Sequence, residues 1–311
     1  MLWFWLSIFA YFLFAINQLW DRYLLTKLFP DTLVYAFYAG MLSGVVVVAV
    51  PFLGFPIGNT AFILSALFCG AVFVIALVVN YMALRKYEAS RIVPAIGGLL
   101  PLVTLLLTYL VFPNEKMATG QIISFGLFTL GSIIITARGW SHIFSRSFGY
   151  AVTAAILFGI YFASLRYVYE IGPSFWGGFL WTRLGSVLAA ILIFLFVGSV
   201  RKTVLARHTR ENVSAKQGRI KAGLLFLGNK GLGATATIVQ NGAVSVAPPL
   251  AVSLINSLQG AQYIFLMIIA YLASRELPQL LKESFRGKIL IQKLFAILLF
   301  AAGTLVLIYY Q

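Results

Sequence analysis

The feature that most constrains this chain is a series of ten long apolar runs. Each approaches the roughly 20 residues that an α-helix needs to cross the hydrocarbon core of a bilayer. The runs are continuous, whereas the strands of a transmembrane barrel alternate apolar and polar residues. The sequence therefore predicts an all-α integral membrane protein with ten transmembrane helices. We number these helices as spans 1–10, near residues 2–20, 33–53, 61–83, 92–112, 118–137, 148–168, 175–198, 222–241, 248–272 and 289–310.

The overall composition points the same way. Hydrophobic residues make up 61% of the 311 residues, charged residues make up 10%, and the mean hydropathy is +0.96. Soluble domains have about 25% charged residues, so this composition excludes a soluble globular protein, a disordered chain and a secreted disulfide scaffold. One cysteine, Cys69, and two histidines, His142 and His208, lead us to expect no internal disulfide, no metal site and no cofactor.

The basic residues are distributed unevenly along the chain. Of the 23 lysines and arginines, 19 lie in the loops after the odd-numbered spans, counting Lys293 at the start of span 10, and 199–221 is the most basic of these loops. Lys116 lies in a loop on the opposite side and Arg166 at the end of span 6 on that same side, while Arg183 and Lys230 lie well within spans. Because Lys and Arg accumulate in cytoplasmic loops, we predict a protein of the cytoplasmic (plasma) membrane with both termini on the non-cytoplasmic side. A net charge of +15 spread over five loops of one face is not that of a nucleic-acid-binding protein.

Several residues recur in the same order in the two halves of the chain. Asn80 and Glu115 are 35 residues apart, as are Asn241 and Glu276, and we expect these four residues to be structural equivalents. Five spans per copy is an odd number, so the second copy enters the membrane from the opposite side. The sequence thus predicts two inverted five-helix repeats, residues 1–138 and 148–311, joined by a loop over 139–147. Three further pairs occur in the same order in the two halves, Arg22-Tyr23 with Arg166-Tyr167, Pro30 with Pro173, and Gly131 with Gly303.

This pattern resembles the drug/metabolite transporter superfamily, and most closely its EamA-like members. The resemblance is carried by Pro94 to Pro101, Phe112-Pro113-Asn114-Glu115-Lys116, Gly120-Gln121 and Gly131, and in the second copy by Asn241-Gly242-Ala243 and Ser274-Arg275-Glu276. It implies a carrier for small metabolites with a central cavity between the repeats. Members of this family usually keep both termini in the cytoplasm, opposite to what the charges here predict. Its small multidrug-resistance members carry a glutamate in their first helix, which span 1 lacks, so we do not expect proton-coupled cation export.

Arg183 and Lys230 are the residues that most strongly indicate a functional site. Both lie far enough into their spans to approach the midplane, where a charge costs about 2.5–3.5 kcal/mol or more. All eight acidic residues are expected at helix ends or in loops, so neither cation has a predicted carboxylate partner within the membrane. A small anionic substrate held by both cations would supply the counter-ion. The alternative is that both side chains extend to an interface or bond to neutral amides.

Neutral polar residues in several spans are expected to complete the substrate site, because lipid cannot satisfy their hydrogen bonds. Hydrogen bonding between helices is the alternative role. Proline and glycine residues in span 4 predict either a gating bend or close packing. The candidate substrate ligands are Asn17, Tyr161, Asn229, Asn256, Gln259, Gln262 and Tyr263, and the candidate hinge residues are Pro94, Gly97, Gly98 and Pro101.

These features favour a secondary transporter, either a carrier or an exchanger, of a small and anionic metabolite. We expect no catalytic residues, because the sequence offers no His–Asp pair and no acidic cluster. The expected partners are a small-molecule substrate and the lipid bilayer, and the protein is a monomer or a homodimer. The alternatives are a membrane-embedded enzyme, a flippase for lipid-linked substrates and a non-transporting scaffold.

Overall fold

The computed structural model describes residues 2–27, 31–86, 89–136, 146–206, 213–273 and 288–310. All regular secondary structure within these ranges is helical. Five helical segments are long and apolar enough to cross a membrane, namely Leu2–Leu25, Thr32–Leu53, Thr60–Ala83, Phe148–Ile171 and Phe175–Phe196. Three shorter apolar segments are Ile96–Val111, Thr119–Ile134 and Leu294–Tyr309. The prediction of an all-α membrane protein is confirmed at this level.

The first part of the chain forms six α-helices. The segment after α1 starts at a defined cap, because Asp31 Oδ1 accepts hydrogen bonds from the backbone N–H groups of Leu33 and Val34 at 2.9 and 3.3 Å. From this cap α2 continues through a 3₁₀ segment, Ser43–Ala49, directly into α3. The bounds are α1 Leu2–Lys27, α2 Thr32–Leu42, α3 Val50–Leu53, α4 Thr60–Lys86, α5 Ala89–Val111 and α6 Thr119–Thr136.

The second part forms seven α-helices. Ser174 caps α8, because its Oγ accepts a hydrogen bond from the Gly177 N–H at 3.1 Å. The most basic loop begins with a short helix, α9. The bounds are α7 Arg146–Ile171, α8 Phe175–Phe196, α9 Gly198–Ala206, α10 Val213–Val246, α11 Ala251–Ser257, α12 Gln259–Ala273 and α13 Lys288–Tyr309.

Several helix boundaries differ from those predicted from the sequence. Asn241, the last residue of predicted span 8, lies inside α10 rather than at a helix end, and Asn80 likewise lies inside α4. Helix α10 continues to Val246 and ends just before Pro248-Pro249, because proline lacks the N–H group that would continue the helix. Span 9 is divided at Leu258 into α11 and α12. Of the matched glutamates, Glu115 lies in the connection between α5 and α6, and Glu276 is outside the described residues.

The helices pack as a bundle in which distant segments are neighbours. Helix α1 packs against α10 and α12, α7 packs against α4 and α5, and α8 packs against α2 and α4. The backbones of α4 and α8 touch, since a Cβ atom on Gly70 would lie 1.9 Å from the Thr182 carbonyl oxygen. Ser186 Oγ donates a hydrogen bond to the Gly70 carbonyl oxygen at 3.1 Å across the same contact.

Helices α6 and α13 meet in a reciprocal contact. The Phe300 ring lies against Gly131, where an added Cβ would be 2.9 Å from its Cε2. The Phe128 ring lies against Gly303, where an added Cβ would be 2.8 Å from its Cε1. The two rings stack on each other with centroids 5.7 Å apart and an interplanar angle of 23°. Each of the two helices therefore contributes one glycine and one phenylalanine to the contact.

Candidate functional site

Lys230 has a carboxylate partner. Its Nζ lies 2.9 Å from Asp21 Oδ1, and the two side chains are 12% and 17% exposed. The expectation that no acidic residue would reach Lys230 is therefore wrong. The charged residue Asp21 marked the predicted end of span 1, but α1 continues to Lys27 and buries Leu24 completely. The packed face of α1 thus extends past Asp21 and brings its carboxylate against α10.

Asp21 Oδ1 is the centre of a hydrogen-bond cluster. Besides Lys230, it accepts hydrogen bonds from Asn229 Nδ2 at 2.6 Å and from the Tyr35 hydroxyl group. Asn17 Nδ2 in turn donates to the backbone oxygen and to Oδ1 of Asn229, at 2.8 and 2.7 Å. The predicted ligands Asn17, Asn229 and Lys230 therefore do come together, but they bind one another and Asp21.

Aromatic rings cover the Lys230 ammonium group. Its Nζ lies 4.3 Å from the ring centroid of Tyr35, 5.6 Å from that of Phe226 and 5.8 Å from that of Tyr81. Cation–π attraction adds to the ion pair with Asp21. The original reason for assigning an anionic ligand to Lys230, its lack of a partner, no longer holds. We call Lys230, Asp21, Asn229 and these three rings the Lys230 centre.

Arg183 is in the opposite situation. Its side chain is in the middle of α8, the residue is 6% exposed, and its Nε is buried without a hydrogen-bond partner. Its Nη2 lies 3.5 Å from the Tyr161 hydroxyl oxygen, at the limit of a hydrogen bond. Its Cζ lies 5.0 and 5.3 Å from the ring centroids of Phe73 and Phe179. Within the described part of the chain, Arg183 forms no ion pair with a carboxylate.

Tyr161 links Arg183 to α10. Its hydroxyl oxygen accepts from Arg183 and, at 3.4 Å, from Asn241 Nδ2. Asn241 Oδ1 accepts from the Tyr169 hydroxyl group at 2.8 Å. Cys69, which is fully buried, donates its thiol hydrogen to the Tyr161 carbonyl oxygen at 3.5 Å. We call these residues, with Phe73 and Phe179, the Arg183 centre.

Of the Arg183 centre, Arg183 and Tyr161 alone were predicted from the sequence as substrate ligands. Asn241 was predicted only as a repeat-equivalent structural residue, and Tyr169 was not singled out. The sequence feature that could have indicated a role for Asn241 is that it is a polar residue within a long apolar run. That signal could not reveal Arg183 as its neighbour, because α8 and α10 are far apart in the chain.

The two cations do not share one site. Lys230 and Asn241 are eleven residues apart on α10, which is about 16 Å at the rise of an α-helix. Asn241 belongs to the Arg183 centre, so the two centres lie at different levels of the bundle. The expectation that one small anion would contact both cations is therefore wrong.

Two amides of the predicted substrate site join helices to one another. Asn256 Nδ2 donates to Thr104 Oγ1 at 2.9 Å, which ties α11 to α5. Gln262 Nε2 donates to Gln18 Oε1 at 2.8 Å, which ties α12 to α1. The Asn256 Oδ1 atom is buried without a partner. Interhelical hydrogen bonding, the alternative role considered for these residues, accounts for the contacts seen.

The predicted hinge in α5 is a packed surface. Helix α5 is continuous through both prolines, Pro94 and Pro101. A Cβ on Gly97 would lie 3.3 Å from the Tyr263 hydroxyl oxygen and 3.8 Å from Gln259 Oε1. A Cβ on the neighbouring residue, Gly98, would lie 3.0 Å from Ile133. These glycines therefore allow close approach of α12 and α6 to α5, and a gating bend stays a prediction.

Comparisons with known proteins bear on the fold alone. No protein-family model and no curated protein matches this chain. Among solved structures, it is similar to the crystal structure of a protein that carries no functional name, with a TM-score of 0.60 and 14% sequence identity. The match covers 97% of this chain and 93% of that one. The chain is therefore an all-α membrane protein whose fold extends over nearly the whole of another protein of similar length.

Proposed function

We propose that this protein is a secondary transporter that carries a small anionic metabolite across the cytoplasmic (plasma) membrane by alternating access. The Arg183 centre is the observation that carries the proposal. A charge near the middle of a bilayer costs about 2.5–3.5 kcal/mol or more when it is unpaired. Arg183 is buried, and its Nε has no hydrogen-bond partner. An anionic substrate would offset that cost each time it binds.

Alternating access by rocking requires two halves that move against each other around the site. The reciprocal contact between α6 and α13 supports such halves, since a two-fold relation exchanges Gly131 with Gly303 and Phe128 with Phe300. The helix neighbours support it too. Contacts of α1 with α10 and α12 correspond to contacts of α7 with α4 and α5 when the predicted repeats are matched. We therefore propose ten spans in two inverted repeats, as the resemblance to the drug/metabolite transporter superfamily implies.

The two polar centres fit the same relation. The register that matches Arg22-Tyr23 with Arg166-Tyr167 also matches Asn17 with Tyr161. The register that matches Asn80 with Asn241 also matches Cys69 with Lys230. Cys69 contacts the Tyr161 backbone, and Asn17 contacts the backbone of the residue beside Lys230. In this proposal the two centres occupy equivalent positions in the two repeats and have diverged. The cation of the Lys230 centre is neutralised by Asp21, whereas the cation of the Arg183 centre binds the substrate.

Transport in reconstituted vesicles tests the proposal. The probes are a panel of radiolabelled monocarboxylates, dicarboxylates and phosphate esters, together with neutral analogues of similar size. We expect Arg183→Gln to lower anion uptake at least tenfold, because the cation that binds the anion is gone. Arg201→Gln removes an exposed cation on α9 and serves as the matched control. Uptake by Arg183→Gln at the parent rate, or no uptake of any panel anion by the parent, would contradict the proposal.

A further inference from the structure

We propose that the Arg183 centre selects a monovalent carboxylate over a dianionic phosphate, and that Arg183 and Tyr161 together form the carboxylate subsite. This inference rests on the proposed function and specifies the chemical class of its substrate. The inference follows from three properties of the Arg183 centre. Within the described ranges, the Arg183 guanidinium group has an unpartnered N–H in a planar arrangement, the Tyr161 hydroxyl group has an unused hydrogen, and the centre carries one positive charge.

One edge of the Arg183 guanidinium group carries an N–H that has no hydrogen-bond partner among the described residues. The Nε–H and the neighbouring Nη–H of an arginine point in parallel directions and match the two oxygens of a planar carboxylate. In Arg183 the Nε is buried without a partner. The one hydrogen bond at the other end, from Nη2 to Tyr161, is long at 3.5 Å. A carboxylate bound in the guanidinium plane would therefore displace no strong internal hydrogen bond.

The Tyr161 hydroxyl group provides a further donor. Its oxygen accepts from Arg183 and Asn241, while its own hydrogen is donated to no residue within the described ranges. The residue is only 1% exposed, so water does not replace the missing acceptor freely. A buried donor left without an acceptor is costly. An oxygen of a bound carboxylate next to Arg183 would accept this hydrogen.

The charge balance favours one negative charge. Within the described ranges, Arg183 and Tyr161 contact the neutral residues Cys69, Phe73, Phe179 and Asn241, and Asn241 in turn binds the neutral Tyr169. Lys230 on α10 is paired with Asp21 and lies about 16 Å from Asn241 along that helix. One carboxylate neutralises the centre, whereas a phosphate of charge near −2 would leave a net negative charge in an apolar surrounding.

The test is thermal stabilisation of the purified protein in detergent. The probes are sodium acetate, propionate and butyrate, compared with sodium phosphate and sodium chloride at matched ionic strength and pH 8. We expect the carboxylates to raise the melting temperature saturably above that in chloride, and phosphate to have no such effect. Tyr161→Phe should weaken the apparent carboxylate affinity by about tenfold to hundredfold, since it removes one hydrogen bond to a charged group.

Matched variants separate the subsite from general effects. Arg183→Gln should abolish the carboxylate effect. Arg183→Lys should weaken it strongly although the charge is kept, because lysine lacks the two parallel donors. Arg201→Gln and Tyr109→Phe change an exposed cation and an exposed tyrosine and should leave it unchanged.

Two kinds of result would overturn the inference. Stabilisation by phosphate that equals that by carboxylates and depends on Arg183 would remove the selectivity and leave the anion carrier standing. Carboxylates that fail to stabilise the parent, or that stabilise Arg183→Gln and Tyr161→Phe equally well, would remove the subsite itself. The vesicle experiment decides the proposed function separately, because it measures anion uptake of every class.

Discussion

The Lys230 ammonium group lies 2.9 Å from the Asp21 carboxylate and joins α10 to α1 across 209 residues of sequence. Both side chains are largely withdrawn from solvent. Asn229 and Tyr35 donate to the same carboxylate oxygen, so the pair is embedded in a satisfied network. Removing either charge would leave the other without its counter-ion in a poorly solvated environment.

The first prediction concerns this pair. Asp21→Asn or Lys230→Gln alone should each lower the free energy of unfolding by about 3–5 kcal/mol, because each leaves an uncompensated buried charge. The double variant Asp21→Asn/Lys230→Gln should be more stable than the sum of the single losses predicts. Unfolding in mixed detergent micelles measures all three. Glu170→Gln is the control, since it breaks the ion pair of Arg166 with a half-exposed glutamate and should cost about 0–1 kcal/mol. Strictly additive losses would contradict the role given to the pair.

The second prediction concerns the reciprocal contact of α6 and α13. Gly131→Ala and Gly303→Ala should each destabilise by about 1–3 kcal/mol, because the new methyl group overlaps the Phe300 or Phe128 ring. The two losses should be similar, as the two contacts are equivalent. Gly126→Ala on α6 is the control, because nothing lies within 4 Å of its Cβ position. It should be neutral or stabilising by about 0.5–1 kcal/mol. A large loss at one glycine and none at the other would argue against equivalence.

The third prediction concerns the contact of α4 with α8. Gly70→Ala should prevent normal assembly, because its Cβ would lie 1.9 Å from the Thr182 carbonyl oxygen and a backbone cannot move aside locally. The same change at Gly231 on α10, which the proposed repeat matches with Gly70, should be tolerated, since nothing lies within 4 Å of its Cβ position. Yield and monodispersity by size-exclusion chromatography report on both variants. A well-folded Gly70→Ala protein would show that the two helices are farther apart than described.

The fourth prediction concerns orientation. The concentration of Lys and Arg in the loops after odd-numbered spans predicts that both termini face away from the cytoplasm. A fluorescent protein that folds only in the cytoplasm, fused after Gln311, should therefore stay dark. The same fusion inserted within the segment 199–221, predicted from the sequence as the most basic loop, should be bright and serves as the positive control. Bright fluorescence at the C-terminus would reverse the assignment.

The helical, membrane-spanning character of the chain was readable from the sequence because hydropathy is a local property. Each predicted run depends on about 20 consecutive residues and on nothing distant. Within the described ranges, the runs accordingly fall on helical segments. Errors arose where a polar residue was taken for a helix end, as at Asp21 and Asn241. Both sit inside helices because partners on other helices satisfy their side chains.

The sequence by itself determined that the chain is an all-α membrane protein and that two cations lie within its apolar runs. Only the tertiary structure decided that these cations differ. Lys230 meets Asp21 because α1 packs against α10, whereas Arg183 on α8 meets the neutral surfaces of α4, α7 and α10. Pairing of charges depends on which helices are neighbours and at what height they meet. No local pattern encodes that, so the candidate anion site emerged from the packing of helices that are distant in the chain.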